Sequence, residues 1–216
     1  MLTKTDYCFP NLSNLEWDFE NFKTSLNFPT GNFFYDPWKI KPEFKGTIWE
    51  SLLKSLPEDQ GEARVIVMQP GTTYMAHADI DNRWHYNIQG EESYLIDLEN
   101  TKMHLLEQDG YWYYMDAGRM HVASNYGSIP RIQLVVRELL IESNKKNFVS
   151  VTIKPKTQIF NYRYKFDRYI STWLNKTDKL GLLKDFKFKD EIVYFKTSRD
   201  ILSKLNSTSD FEVIVE

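Results

Sequence analysis

The chain has 216 residues, of which 42% are hydrophobic and 15% aromatic, so it can bury a sizeable core and does not resemble a disordered protein. Its formal net charge is -3 with both signs interspersed, which gives no reason to expect a basic face or a nucleic-acid partner. The single cysteine, Cys8, excludes an intrachain disulfide, and the lack of a signal-peptide pattern or a long apolar run predicts a cytoplasmic protein without a membrane partner.

The first predicted elements are an aromatic lead-in and one helix. Residues 1–38 are rich in turn residues, which predicts irregular structure wrapped on a core, and residues 15–22 fit either a short helix or an edge strand. Thr47 and Glu50 form a capping-box pattern. Apolar residues then recur at helical spacing until Pro57, namely Ile48, Trp49, Leu52, Leu53 and Leu56. We expect this helix to pack on the outside of a barrel.

From residue 63 to residue 140 the apolar period changes to two, and short runs alternate with turns. The predicted strands are 64–68, 73–79, 83–89, 94–98, 102–107, 110–115 and 131–139. The predicted fold class is therefore mainly β: a double-stranded β-helix of about eight strands, jelly-roll or cupin-like, with flanking N-terminal helices. The open mouth of such a barrel is a natural place for a small-molecule site.

A second domain is predicted after a polar linker at residues 142–147. The boundaries are 1–142 for the barrel with its lead-in and 148–216 for the second domain. The second domain has the order β-α-β-β-α-β, with strands at 148–153, 186–188, 192–195 and 211–215 and helices at 166–174 and 198–205. This is the split-βαβ pattern of a small α+β domain. It contains no histidine, cysteine or glycine-rich loop, so no chemistry is assigned to it.

Two histidines and one carboxylate carry the strongest chemical signal. His77 and Asp79 are two residues apart in an alternating segment, which predicts that both side chains leave one face of a strand. His121 supplies a second imidazole shortly before a strand that Arg131 opens. Two imidazoles and a carboxylate are the ligands of the facial triad that holds Fe(II) and leaves coordination positions open. We predict His77, Asp79 and His121 as metal ligands at a catalytic centre; a hydrogen-bonded surface pair is the ordinary alternative for His77 and Asp79.

The order of these residues resembles a known enzyme family. The series is Pro70-Gly71, His77-x-Asp79, Arg83-x-His85, then Gly118, His121, Asn125 and Arg131. Over about residues 63–138 it is similar to the aspartyl/asparaginyl β-hydroxylase family of Fe(II)/2-oxoglutarate oxygenases, which includes bacterial proline hydroxylases. Animal aspartyl hydroxylases lack the carboxylate ligand, whereas Asp79 is present here, so the chain looks closer to the proline-type members.

The resemblance implies cofactors and further roles. Fe(2+) and 2-oxoglutarate would be the cofactors, Arg131 would bind the distal carboxylate of 2-oxoglutarate, and His85 would help to hold it. A buried ion-pair arginine and a structural histidine are the alternatives. Arg83 and Asn87 share strand parity with His85 and are candidate substrate contacts, although Arg83 could instead pair with Asp81 or with another acid outside the site. Gln133 is a further polar group that could meet a substrate carboxylate or amide.

The predicted activity is hydroxylation of an amino acid or an amino-acid side chain, proline-like or Asp/Asn-like, with conversion of 2-oxoglutarate to succinate. The expected partner is therefore a small-molecule or peptide substrate. Two alternatives stay open: a metal-binding cupin acting as an isomerase or as an oxygenase independent of 2-oxoglutarate, and a non-catalytic ligand-binding barrel. The sequence does not indicate the oligomeric state.

Overall fold

The computed structural model describes residues 1–10, 12, 25–57, 59–79, 81–98, 100–140, 148–155, 174, 177–178, 182–189, 192–203 and 211–216. In these ranges the protein is mainly β, and every strand pair is antiparallel. The predicted mainly-β class is therefore confirmed. The chain divides into two compact units: one is Met1–Ala76, Asp81–Ala117 and His121–Leu140, and the other is His77–Ile80, Gly118–Met120 and Ile141–Glu216.

The first unit is built from two larger sheets and a small one. Its strands are β1 (Leu2–Cys8), β2 (Asn27–Pro29), β3 (Trp38–Ile40), β4 (Gln60–Met68), β5 (Thr72–Thr73), β6 (Arg83–Gln89), β7 (Ser93–Asp97), β8 (Lys102–Leu105), β9 (Tyr111–Met115), β10 (His121–Asn125) and β11 (Arg131–Glu138). The sheet orders are β1-β9-β6-β11-β4, β5-β10-β7-β8 and β2-β3. Hydrogen bonding among the described strands gives separate sheets and does not close a barrel.

A helix at the predicted position, α1 (Ile48–Leu53), covers the outer face of the five-stranded sheet. It is the one α-helix before β4 in the described ranges, so the expectation of several flanking N-terminal helices is not confirmed. Alternate residues of β6 and β11 enter the same apolar cluster as the buried face of α1; the cluster includes Trp49, Leu52, Leu53, Tyr86, Ile88, Ile132, Leu134 and Val136. Because side chains alternate across a strand, the residues between them face the opposite way. His85, Asn87, Arg131 and Gln133 are thus directed to the inner face of the sheet.

The inner side also contains an apolar cluster, to which both larger sheets contribute. Met68 and Met115 come from the five-stranded sheet, and Leu95 and Ala123 come from the four-stranded sheet. Buried polar side chains of the same strands accompany these residues. The inner side is consequently mixed in polarity.

The start of α1 differs from the predicted capping box. Thr47 occupies the N-cap position, but its hydroxyl donates to the Phe44 carbonyl at 2.6 Å and makes no cap hydrogen bond. Glu50 does reach back, accepting from the Gly46 amide at 2.7 Å. The 3₁₀ turn at Pro42–Phe44 brings the Phe44 carbonyl within reach of the hydroxyl, so the hydroxyl serves as a donor here.

Two other expectations for this unit were wrong. The lead-in contains β1, whose side chains are mostly exposed and therefore lack the apolar alternation by which strands are recognised. Conversely, within the predicted strand 73–79 the structure shows a strand only at β5, and Met75 beyond it is 87% exposed. Residues 15–22 lie outside the described residues.

The second unit contains one four-stranded sheet. Its strands are β12 (Val149–Pro155), β13 (Lys184–Lys189), β14 (Ile192–Thr197) and β15 (Phe211–Val215), with helix α2 (Arg199–Ser203) between β14 and β15. The order β13-β14-β12-β15 inserts β14 between β12 and β13, as a split βαβ arrangement requires. The predicted helix at 166–174, apart from residue 174, and the predicted linker at 142–147 lie outside the described residues. In the described ranges, no helix has the length and apolar character needed to cross a bilayer.

A buried asparagine, Asn125, connects the end of β4 to the segment just before Arg131. Asn125 is fully buried, its Nδ2 donates to the carbonyls of Met68 (3.0 Å) and Ile129 (2.9 Å), and its Oδ1 accepts from the Gly127 amide at 3.1 Å. An apolar side chain of similar size would leave these backbone groups without partners.

We predict that Asn125→Leu lowers the free energy of unfolding by about 3 kcal/mol, because several buried hydrogen bonds are lost at once. Urea denaturation measures this change. Ser128→Ala is the control: the exposed Ser128 hydroxyl donates to Glu91 Oε2 at 2.9 Å, and its loss should cost less than about 0.5 kcal/mol. If Asn125→Leu is as stable as the wild type, the buried hydrogen bonds of Asn125 do not stabilise the fold as proposed.

Candidate metal centre

The structure brings together the three predicted ligands. One potential ligand atom from each of His77, Asp79 and His121 lies within 4.8 Å of the others. His77 Nε2 is 3.6 Å from Asp79 Oδ2. Asp79 and His121 are buried, and His77 is partly exposed. Two imidazoles and a carboxylate at this separation can converge on one first-row transition metal.

The three candidate ligands lie on different kinds of backbone. His121 is the first residue of β10 and pairs with Asp97 of β7, so a sheet fixes its backbone. His77 and Asp79 follow β5, outside its two-residue ladder. The proximity of His77 and Asp79 therefore does not come from side-chain alternation along one continuous strand. Their short separation in the sequence still keeps the two side chains near each other.

The residues that follow Asp79 are attached to the five-stranded sheet. Asp81 Oδ2 lies 3.4 Å from Arg137 Nε and 3.9 Å from Arg83 Nε. Asn82 Nδ2 donates to Glu138 Oε2 at 2.9 Å, and the same oxygen accepts from the Tyr114 hydroxyl at 2.8 Å. Since Arg83 and Arg137 are direct cross-strand partners, Asp81 also offsets the repulsion between two like charges. These contacts hold the chain at the exit of the ligand-bearing segment.

Arg131 is a buried cation, with 4% of its surface exposed. Its guanidinium donates to Gln133 Oε1 and lies 3.9 Å from Met68 Sδ. Within the described residues no carboxylate forms an ion pair with it. Burial lowers the pKa of Arg131 to about 10, which leaves the side chain charged at neutral pH. The sequence left open that Arg131 is a buried arginine in an ion pair. The described ranges contain no acidic partner for such a pair.

His85 lies close to this cation and is kept neutral. It is 5% exposed, and the Gln133 side chain lies near enough to its ring to favour the charged form, although neither ring nitrogen makes a well-aligned hydrogen bond among the described residues. Burial lowers the pKa of His85 to about 3, with further lowering by the nearby Arg131, Arg83 and His121. The electrostatic contributions indicate that His85 lies in the vicinity of both Arg131 and His121.

The two candidate substrate contacts already have partners within the protein. Arg83 is near Asp81, which is the alternative that the sequence left open. Asn87 accepts from Gln133 Nε2 and donates to the Glu107 carbonyl at 3.0 Å. The remaining histidine, His104, lies on β8 and is not part of the metal group.

Sequence reasoning missed most of the residues that support the site. Arg137, Tyr114 and Glu138 have no motif of their own, and their contacts with residues 81 and 82 depend on strand register. Gln133, two residues beyond Arg131 on the same strand face, was identified from the sequence only as a candidate contact for a substrate carboxylate or amide. Its orientation toward the guanidinium could not be read from the sequence.

Comparison with known proteins gives no assignment. No family model matches the sequence, and no curated protein is significantly similar to it. The function must therefore be argued from the geometry of the chain itself.

We predict that His77→Ala, Asp79→Ala and His121→Ala each weaken Co(II) binding at least about 100-fold, since each removes one of three ligands. Calorimetric titration of the metal-free protein measures the affinity. His104→Ala should bind Co(II) as the wild type does. Unchanged affinity in the His121 variant would show that the three residues do not form one site.

We also predict that His85 makes the protein less stable in acid. Its folded-state pKa of about 3 is below the ordinary value of 6.5, so the unfolded chain binds the proton more tightly. Stability from this residue is present above the unfolded pKa and is lost as the pH falls from about 6.5 toward 3, at up to about 1.4 kcal/mol per pH unit.

The matched variant for that test is His85→Gln, which does not titrate. The difference in unfolding free energy between wild type and variant, measured in urea at about pH 5.5 and about pH 4, should change by about 2 kcal/mol. A difference independent of pH would mean that His85 is protonated in the folded protein.

Proposed function

We propose that the chain is an Fe(II)- and 2-oxoglutarate-dependent dioxygenase that hydroxylates an amino acid or an amino-acid side chain. The observation that carries this proposal is the buried, positively charged Arg131, for which the described ranges contain no carboxylate partner; Arg131 and His121, one member of the two-histidine, one-carboxylate group, both act electrostatically on His85. A buried charge without a counter-charge is costly, so a protein that retains one requires a ligand of opposite charge.

The strand order supports the finer fold proposal, a double-stranded β-helix. Strands β4 to β11 are shared between two sheets in the orders β9-β6-β11-β4 and β5-β10-β7-β8. Each sheet therefore combines strands from the beginning and the end of the same stretch of chain, which is how two Greek keys combine in a jelly roll. The space between such sheets suits a small ligand.

The donor set fits Fe(II). Imidazole nitrogen and carboxylate oxygen suit iron, and three protein ligands leave positions for a chelating cosubstrate and dioxygen. The single cysteine, Cys8, is exposed on β1 and is absent from the group, so the set is not that of a thiolate zinc site. When bound, iron and 2-oxoglutarate would supply the oxidative chemistry, with succinate and carbon dioxide as products of the cosubstrate.

The residues of the chain would bind and orient the cosubstrate. The Arg131 guanidinium can donate two parallel hydrogen bonds to a carboxylate, which fixes both the position and the direction of the ligand. Neutral His85 has one ring N–H that can donate a hydrogen bond to the ligand, and it adds no charge of its own. The apolar Met68, Leu95 and Ala123 on the inner side would limit the access of water.

Arg131 also favours this proposal over a cupin that uses a metal without 2-oxoglutarate. Such an enzyme would need the histidines and the carboxylate but would have no use for a buried guanidinium. A non-catalytic barrel would likewise not need an open-coordination donor set. For the substrate, we propose a proline-like or Asp/Asn-like amino acid, with Arg83 as the candidate contact for its carboxylate.

The direct test incubates iron-loaded protein with 2-oxoglutarate, dioxygen and a panel of free amino acids and short peptides. We expect one member to gain the mass of one oxygen atom with an equal amount of succinate. Arg131→Met should raise the 2-oxoglutarate concentration needed for half-maximal turnover about 100-fold, because a charged bidentate contact is lost.

The matched control is Arg64→Met, which removes a partly exposed arginine paired with Glu62 and should leave the requirement unchanged. If Arg131→Met needs the same 2-oxoglutarate concentration as the wild type, the proposed role of Arg131 in binding the carboxylate is refuted. Succinate formation with oxidation of a different class of metabolite would keep the oxygenase proposal and reject the substrate class.

A further inference from the structure

A continuous chain of buried amides begins at Arg131. The guanidinium donates to Gln133 Oε1, Gln133 Nε2 donates to Asn87 Oδ1, and Asn87 Nδ2 donates to the Glu107 carbonyl at 3.0 Å. Arg131, Gln133 and Asn87 are at most 4% exposed. Gln133 and Asn87 are also direct cross-strand partners on β11 and β6. The chain therefore connects the buried charge to the main chain beyond β8.

The direction of this chain is fixed at both ends. A guanidinium can only donate, so the oxygen of Gln133 must face it and the nitrogen of Gln133 must face Asn87. A backbone carbonyl can only accept, so the nitrogen of Asn87 must face Glu107. Each amide therefore has one allowed orientation. The guanidinium of Arg131 is held by a hydrogen-bond network in which every donor and acceptor is fixed.

The neutral character of Gln133 matters as much as its hydrogen bond. A glutamate has nearly the same shape and would accept the same bond, but it would form an ion pair with Arg131 and cancel its charge. Glutamine satisfies one donor and leaves the positive charge uncompensated. The strands deviate from regular pairing just here, since the register shifts between Ile132 and Gln133, as a bulge that re-aims side chains would do.

We propose that Gln133 and Asn87 are positioning residues that orient Arg131 and preserve its charge for the distal carboxylate of the 2-oxo acid. This inference rests on the proposed function and deepens it. Gln133 determines specificity for a dicarboxylate by being an uncharged acceptor, and Asn87 holds Gln133 in the required orientation. Asn87 is thereby assigned to cosubstrate binding and not to substrate contact.

The test compares two 2-oxo acids that differ at one end. Calorimetry under argon, with Fe(II)-loaded protein, measures the affinities for 2-oxoglutarate and for 2-oxobutyrate, which lacks the distal carboxylate. The wild type should prefer 2-oxoglutarate by about 100-fold or more. Gln133→Glu should reduce this preference to less than about 3-fold, because the introduced carboxylate occupies Arg131 and repels the ligand.

Two further variants separate positioning from general structure. Asn87→Ala removes the partner that orients Gln133 and should reduce the preference about 3- to 10-fold. Gln133→Met is neutral and similar in size, provides no amide acceptor, and should reduce the preference about 10-fold; it replaces Gln133→Glu if that variant does not fold. Fe(II) affinity should remain within about 3-fold of the wild type in all three, since none touches a ligand of the metal group.

The control is Gln60→Glu, another glutamine-to-glutamate change on the same sheet, whose amide donates to the Leu53 and Pro57 carbonyls at 2.8 Å, at the end of β4 away from Arg131. Its preference for 2-oxoglutarate should stay close to that of the wild type. If Gln133→Glu keeps the wild-type preference, or if Gln60→Glu loses as much, the inference is overturned while the proposed function stands. A wild-type protein that does not discriminate between the two acids would instead overturn the proposed function.

Discussion

The structure of the first unit depends on the burial of one positive charge without an acidic partner in the described residues. Removing a guanidinium from water is costly, and its lowered pKa reflects that cost. The protein compensates by fixing the backbone that leads to Arg131: the carbonyls of Ile129 and Pro130 accept from the side chains of Asn125 and Gln89, each at 2.9 Å. The charge is thus held in place by neutral groups, which preserve it.

Strand β11 combines two opposed requirements through the alternation of its side chains. Ile132, Leu134 and Val136 enter the apolar cluster beneath α1, whereas Arg131 and Gln133 point inward. A shift of one residue in register would bury the guanidinium in the apolar cluster. Pairing of β11 with both β4 and β6 opposes such a shift. Stability on the outer face therefore supports the geometry of the inner face.

Much of this organisation could be predicted from local patterns. Helix α1 follows from the spacing of Trp49, Leu52 and Leu53, and the central strands follow from their apolar period of two. Strand β1 could not be predicted, because its exposed side chains carry no apolar pattern. The three candidate ligands could be picked out by residue type and spacing, but the pairing of Asp81 with Arg137 depends on register between distant strands.

The charges of the site provide a final argument for the proposed ligand. A divalent metal bound by one carboxylate, Asp79, would carry a net charge of about +1, since the two histidine ligands are neutral when they bind metal. Arg131 adds a further positive charge, and His85 adds none because its pKa is about 3. The total positive charge of the metal group and Arg131 would be balanced by a dianion with one carboxylate at the metal and the other at the guanidinium. A 2-oxo dicarboxylate meets that requirement, whereas a monocarboxylate would leave one buried positive charge uncompensated.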